Sequence, residues 1–240
     1  DVVVHVAGIA HQKETKENAS LYYKVNRDLT VEIATKSKNE GVTHFLFFST
    51  MSVYGLDEGV IDENTPLKPK THYGKSKLEA EQLIKPLADE YFKIAIIRPP
   101  MIYGKNCPGN YQRLAKLATK TPVFPNIRNK RSMIYIDNLS EFIRILIDGQ
   151  KDGLFLPQNK EYVCTTELVR LIATEHNKNI YFTKLFNPIL KMIKTSTVQK
   201  VFGDLIYKQN ISQLENKYNY NIVDMKQSVV LTESMESSGL

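Results

Sequence analysis

The stretch Phe45-Leu46-Phe47-Phe48 is apolar at four consecutive positions and runs straight into Ser49-Thr50. Side chains of a strand alternate between two faces, so a strand apolar at every position is one whose two faces are both covered. Two runs of the same character lie on either side in sequence, Val2-Val3-Val4-His5-Val6, read as a buried strand, and Ile94-Ala95-Ile96-Ile97. Between the first run and Phe45, Leu21, Val25, Leu29 and Ile33 recur every four residues and predict an amphipathic helix of about five turns ending near Gly41. Between Phe48 and Ile94, a loop with Pro66 and Pro69 leads to a helix from about Tyr73, with Leu83 and Leu87 on its apolar side. Strands alternating with helices make a parallel sheet covered on both sides, and the fold class is α/β.

The chain carries 32 Lys and Arg against 26 Asp and Glu over 240 residues, a net +6, with 42 % hydrophobic and 24 % charged residues. That length holds one large domain or a main domain with a small appendage. The composition excludes a disordered, fibrous or disulfide-scaffold protein. Cys107 and Cys164 stand far apart, fit no metal spacing and read as free thiols of a reducing cytoplasm, with no metal expected. No apolar run approaches the roughly 20 residues of a membrane span, and no secretory signal is visible. Because the chain starts on Asp1 and is at once in a strand, we expect a fragment whose own N-terminus is missing.

Beyond Pro99-Pro100 the alternation loosens. Helices near 111–119, 138–147 and 166–175 and a strand near 133–136 read as a smaller, mixed region that would cover the substrate. The expected division is residues 1–104 for the main domain and 105–240 mainly for substrate binding, some helices returning to the main domain. The Ser-rich end, 234–239, reads as a frayed terminus.

The strongest local signal is Tyr73-Gly74-Lys75-Ser76-Lys77 at the entry to a helix. Residues four apart share a helix face, so the Lys77 ammonium can lie near the Tyr73 phenol and favour its ionised form. A phenol so assisted can act as general acid and base between an alcohol and a ketone. Spacing alone is weak, since any helix offers many such pairs. Its context is Ser49-Thr50-Met51-Ser52-Val53-Tyr54-Gly55, which places hydroxyls at the C-terminal edge of the sheet, where open α/β sheets bind ligands. Those hydroxyls could equally satisfy backbone groups at a strand end.

His5-Val6-Ala7-Gly8, Asn26 in Tyr22-Tyr23-Lys24-Val25-Asn26, Ser49 to Gly55, Tyr73 to Lys77 and Arg98-Pro99-Pro100-Met101-Ile102-Tyr103-Gly104 stand in the order seen in extended short-chain dehydrogenases. More narrowly, the chain resembles the NAD-dependent epimerase/dehydratase family of nucleotide-sugar enzymes, of the UDP-glucose 4-epimerase kind, and within it the capsular-polysaccharide members. The resemblance covers about residues 1 to 175 and implies a Rossmann-like doubly wound sheet, a UDP-sugar substrate and NAD or NADP as cofactor. It implies Tyr73 as acid/base at the sugar C4 oxygen, Lys77 lowering its pKa and holding the nicotinamide ribose, and Thr50 hydrogen-bonding the same sugar oxygen. It further implies Ala7, Gly8, Asn26, Ser49, Pro99 and Pro100 along the cofactor, and Asn110 and Arg131 at the substrate diphosphate. A homodimer through helices 21–39 and 73–91 belongs to the same resemblance.

Charge agrees with a polyanionic ligand. Lys105, Arg113, Lys116, Lys120, Arg128, Lys130 and Arg131 lie in one stretch with no acidic residue, and Arg can hold a phosphate through two hydrogen bonds. A solvated basic face is the plainer reading, and the absence of interleaved aromatics argues against nucleic acid. One departure is large: among Gly8, 41, 55, 59, 74, 104, 109, 149, 153, 203 and 239 no two lie two or three positions apart, so no glycine-rich turn for a dinucleotide pyrophosphate is present.

Lesser candidates are Cys107, which lacks a His partner, and His11 and His72 beside the inferred site. Phe186, Ile189, Leu190, Ile193, Val198, Val201 and Phe202 could form an apolar surface among six Lys and two acidic residues between 184 and 217. Packing against the substrate region is the ordinary reading of it, and docking on a membrane surface the other. The expected function is therefore a cytoplasmic, nicotinamide-dependent C4 epimerase or 4-keto reductase of a UDP-sugar in surface-polysaccharide synthesis. Its competitors are a catalytically silent dinucleotide-binding or scaffold protein and a reductase of a non-nucleotide alcohol or ketone.

Overall fold

The computed structural model describes residues 1–10, 12–193, 195–209, 211 and 218–234, without the side chain of Lys191. His11, Lys194 and 235–240 lie outside the described residues. In chain order the elements are β1 (Val2–His5), α1 (Ala19–Tyr23), a π-helical turn (Lys24–Asp28), α2 (Leu29–Asn39), β2 (His44–Phe48), a 3-10 turn (Met51–Tyr54), β3 (Gly59–Ile61) and α3 (His72–Ile84). They continue with β4 (Lys93–Ile97), β5 (Met101–Tyr103), α4 (Asn110–Lys120), β6 (Val123–Pro125), β7 (Met133–Tyr135), α5 (Ile136–Asp148) and β8 (Gly153–Phe155). The last elements are α6 (Thr165–Glu175), β9 (Tyr181–Thr183), α7 (Asn187–Met192), α8 (Ser196–Phe202), β10 (Leu205–Tyr207) and α9 (Met225–Glu233).

The main sheet has the order β1-β2-β4-β8, parallel throughout. Helices cover it from both sides. Ala34 of α2 and Ala80 and Ile84 of α3 pack on Phe45, Phe47, Ile94 and Ile96, while Phe142 and Leu146 of α5 pack on Leu46, Ala95, Ile97 and Phe155 of the other face. That is why the Phe45 and Ile94 runs lack polar positions, and the fold class is α/β as expected. The late strand β8 closes the main sheet, so residues after 104 return to it. A second core gathers Tyr103, Tyr111, Leu114, Leu168, Val169, Ile172 and Val229 from β5, α4, α6 and α9.

Three expectations need correction. Within these 240 residues β1 stands at one end of the sheet and Val2 and Val4 are exposed there, α5 reaching over β2, β4 and β8. The buried face of the first helix is Tyr22, Asn26, Thr30, Ala34 and Ser37, offset by one position from the Leu21, Val25, Leu29 series. Its polar members are each satisfied: the Thr30 hydroxyl meets His5 Nε2 at 2.9 Å and donates to the Asn26 carbonyl, and Ser37 donates to the Ile33 carbonyl. Leu83 of α3 is also exposed, and the buried face of that helix is Gly74, Ser76, Lys77, Ala80, Glu81 and Ile84.

Candidate active site

The site is built where β2 ends and α3 begins. Thr50, extended at the end of the strand, accepts the Ser52 N–H at 3.1 Å and starts the 3-10 turn. α3 then approaches this turn closely, which its glycine permits: a Cβ on Gly74 would lie 2.8 Å from the Ser52 carbonyl oxygen. The start of α3 is doubly capped. Thr71 accepts the Gly74 N–H, and the Glu14 carboxylate, from the loop after β1, accepts the N–H groups of His72 at 2.8 Å and Tyr73 at 2.9 Å. Tyr73 is thereby fixed at the first turn, its phenol close enough to Thr50 for that side chain to act on its pKa.

Burial pushes the Tyr73 phenol above its ordinary value, and the Thr50 hydrogen bond works against that rise. Since Thr50 already accepts from Ser52, its own proton is available to the phenol oxygen, and that bond favours the phenolate. Lys77 lies one turn further along α3, almost fully buried, with Nζ donating to the Phe48 carbonyl at 2.8 Å and resting 4.8 Å from the centre of the Phe47 ring. Its cation is directed at the strand end. In this structure Thr50 lowers the Tyr73 pKa and burial outweighs it, and the role expected of Lys77 belongs to the proposal below. Burial takes the pKa of Lys77 itself from 10.5 to about 8, with Glu81 opposing. Beside it, His5 is stacked on Phe45 and Phe47 and lowered to about 4 by burial and by Lys77, so it is neutral at pH 7.

Below the pair sits a buried polar network that the sequence reading did not assign. Glu81 Oε1 accepts from Arg98 Nε at 3.0 Å and from the Ser49 hydroxyl, and its Oε2 accepts from Arg98 Nη2 at 2.5 Å. Arg98 Nη1 donates to the Tyr54 hydroxyl at 2.9 Å, and the Tyr207 hydroxyl donates to the Arg98 carbonyl at 2.8 Å. Glu81 follows Lys77 by one turn on the same face of α3, but nothing in that spacing marks it as the partner of Arg98 and Ser49.

The remaining expected residues divide. Ala7 and Gly8 are exposed just past β1, and the approach at Gly8 is close: a Cβ would lie 3.0 Å from both Asn26 Oδ1 and Lys77 Nζ. Asn26 is fully buried; it accepts from the Ile9 N–H at 2.7 Å and donates to the Ile9 carbonyl and to Ser76, which ties the loop after β1 to α3. Ser49 is engaged with Glu81, and Pro99 and Pro100 are buried, the Pro99 carbonyl accepting from Met51. Asn110 is the exposed first residue of α4. Arg131 points into the junction with α8, its Nη1 donating to the carbonyls of Gly203 at 3.1 Å and Gln199 at 3.3 Å, beside Asp204 and Asp57. The stretch that is free of acids in sequence is thus not so in space, because β10 brings Asp204 onto the Lys130 N–H.

The His72 ring meets the Tyr23 hydroxyl at 3.2 Å through Nδ1. The Cys107 thiol is raised by burial and by Asp137, unlike an activated nucleophile. Val201 and Phe202 pack into the second core, whereas Phe186, Ile189 and Ile193 stay exposed. Among the described residues no cluster of three or more metal-ligating side chains occurs.

A parallel sheet wound on both faces, with a capped Tyr and Lys at its C-terminal edge, defines a Rossmann-type protein. The chain belongs to the NAD dependent epimerase/dehydratase family, whose model matches residues 1–155. It is 34 % identical over 224 residues to a UDP-glucose 4-epimerase of Vibrio cholerae, covering 88 % of this chain and 65 % of that protein. It is 36 % identical over 187 residues to the N-acetyl-alpha-D-glucosaminyl-diphospho-ditrans,octacis-undecaprenol 4-epimerase of Escherichia coli O157:H7, covering 75 % of this chain and 56 % of that protein. The chain thus spans less than two thirds of the length of these two relatives. Among solved structures, the UDP-glucuronic acid 4-epimerase of Bacillus cereus in complex with NAD superposes with a TM-score of 0.74 at 19 % identity, covering 97 % of this chain and 73 % of that one.

Proposed function

We propose that this chain carries the catalytic part of a nicotinamide-dependent enzyme that oxidises and reduces C4 of a UDP-sugar, as an epimerase or a 4-keto reductase of surface-polysaccharide synthesis in the cytoplasm. The observation that carries the reading is Tyr73 on the first turn of α3 beside the Thr50 turn, one helical turn from Lys77, whose Nζ reaches the Phe48 carbonyl at the C-terminal edge of the parallel sheet. The family match and the names of the two relatives support the choice of substrate.

The residues present fit the nicotinamide end of a dinucleotide. Exposed Ala7 and Gly8 leave open backbone beside Lys77, whose ammonium can exchange the Phe48 carbonyl for ribose hydroxyls. None of the eleven glycines of these 240 residues stands at the spacing of a pyrophosphate-binding turn. When bound, the nicotinamide accepts or returns the hydride of the sugar carbon. Tyr73 gives its Oη proton to the C4 oxygen when the ketone is reduced and takes one from the C4 hydroxyl in the oxidation, with Lys77 and Thr50 favouring the phenolate that burial opposes. Thr50 donates to the oxygen that is negative at that moment. Residues 1–104 carry this chemistry and 105–240 mainly hold the sugar nucleotide, with Asn110 and Arg131 at the diphosphate; a homodimer through α1, α2 and α3 is part of the reading.

The test is Tyr73→Phe in the full-length protein, assayed for cofactor absorbance and for products of UDP-glucose, UDP-N-acetylglucosamine and a UDP-4-keto-6-deoxy sugar. Loss of turnover by at least about a hundredfold with the melting temperature retained is expected. Retained turnover sinks the assignment, and an inert wild type with all three substrates favours the silent dinucleotide-binding reading.

A further inference from the structure

Two stretches far apart in sequence lack acidic residues: 105–131, where Asp204 reaches the Lys130 N–H from outside, and 176–203 with Lys178, Lys184, Lys191, Lys194 and Lys200, the last paired with Asp57 at 3.6 Å. The parallel pairing of β6 with β9, Val123 beside Tyr181, brings them together. Lys120 and Lys178 precede the two strands, Lys184 and Arg128 follow them, and all four are exposed. In the same place the chain leaves large apolar side chains in water. Leu185 is 76 % exposed, Ile189 58 % and Met192 82 %, with Phe186 and Ile193 beside them. Positions 185, 189 and 192, like 186 and 193, repeat at helical spacing, so α7 and its flanks turn one apolar face outward.

An outward apolar face of this kind is an interaction surface, and the chemistry around it selects the partner. Flexible aliphatic side chains ringed by lysines suit a surface that is negative outside and hydrocarbon beneath. Stacked bases would call for a row of planar aromatic platforms, whereas on this face the aliphatic Leu185, Ile189, Met192 and Ile193 outnumber the exposed aromatic Tyr181 and Phe186. We propose that the β6, β9 and α7 face docks on an anionic lipid bilayer, with Leu185, Ile189 and Met192 entering the headgroup boundary and Lys120, Lys178, Lys184 and Arg128 meeting lipid phosphates. The docking is peripheral: among the described residues no helix is long and apolar enough to cross a membrane. It is independent of the chemistry assigned to Tyr73.

The experiment is co-sedimentation of the full chain with vesicles of phosphatidylcholine alone and with phosphatidylglycerol added. Binding to the anionic vesicles, weakening as salt is raised, is expected. Leu185→Asp and Ile189→Asp should each weaken it about tenfold or more, and Lys184→Glu about fivefold or more. Lys184 is exposed, so its variant should melt with the wild type and controls for folding. Tyr73→Phe should bind vesicles like the wild type, which separates this proposal from the catalytic one. No binding to anionic vesicles, equal binding by the Asp variants, or a dimer in sedimentation velocity that Leu185→Asp dissolves while vesicle binding is unchanged overturns the proposal.

Discussion

Replacing Lys77 by Met should make the protein more stable at neutral pH while abolishing its proposed chemistry. Burial lowers the Lys77 pKa from 10.5 to about 8, which corresponds to roughly 3 kcal/mol spent on keeping the cation in place. Methionine keeps the bulk of the side chain but forfeits the Nζ bond to the Phe48 carbonyl and the contact with the Phe47 ring, about 1 to 2 kcal/mol together. A net gain of about 1 to 2 kcal/mol at pH 7 remains, or roughly 2 to 8 °C in melting temperature for a chain of this size. Its pH dependence is the sharper signature. From about 8 to 10.5 the unfolded wild type holds a proton on Lys77 that the folded form has released, so wild-type stability from this group climbs with pH across that window. Below about 8 the cost is fully present. The Met variant should therefore lead at pH 7 and lose its lead by pH 10, measured as urea midpoints at the two values. A Met variant less stable than wild type at pH 7, or a lead that does not change with pH, would falsify the reasoning.

Glu81→Gln leaves the Arg98 guanidinium buried without a counter-charge and should cost about 3 to 5 kcal/mol in urea unfolding; a loss under about 1 kcal/mol would show that the pair is not a dry ion pair. Glu14→Ala removes the carboxylate from the start of α3 and should lower stability by about 1 kcal/mol, read as a melting shift of roughly 2 to 4 °C, whereas an unchanged melt contradicts the cap. Gly55→Ala forces a Cβ to 1.9 Å from the Lys68 carbonyl oxygen at φ +67°, and a loss of at least about 3 kcal/mol is expected; a variant that melts with the wild type refutes that geometry.

The sheet and the Tyr73 and Lys77 pair were legible because each rests on local order: a strand apolar on both faces, or two residues a helical turn apart. What escaped depends on contacts distant in sequence. Glu81 in isolation is one more helical glutamate, and only Arg98 and Ser49, 17 and 32 residues away, make it a buried partner. The first helix misleads because hydrophobicity is the only mark of burial that a helical period carries. Its inner positions Asn26 and Thr30 are polar, kept there by Ile9, Ser76 and His5, which no helical period can reveal. The pull of Arg131 toward Gly203 was hidden for the same reason, since α8 and β10 arrive some 70 residues later.

The Glu81 and Arg98 pair has a mechanical meaning as well. Greasy contacts between a helix and a sheet tolerate a small roll of the helix about its long axis, whereas a carboxylate gripped by both arms of a guanidinium does not. A roll of about 10° at the outer radius of a helix, roughly 6 Å, moves a side chain by about 1 Å. A displacement of that size can slow a positioned reaction about a hundredfold. The ion pair therefore works as a key in a shaft, indexing α3 to one angle so that the phenol two turns away stays on Thr50.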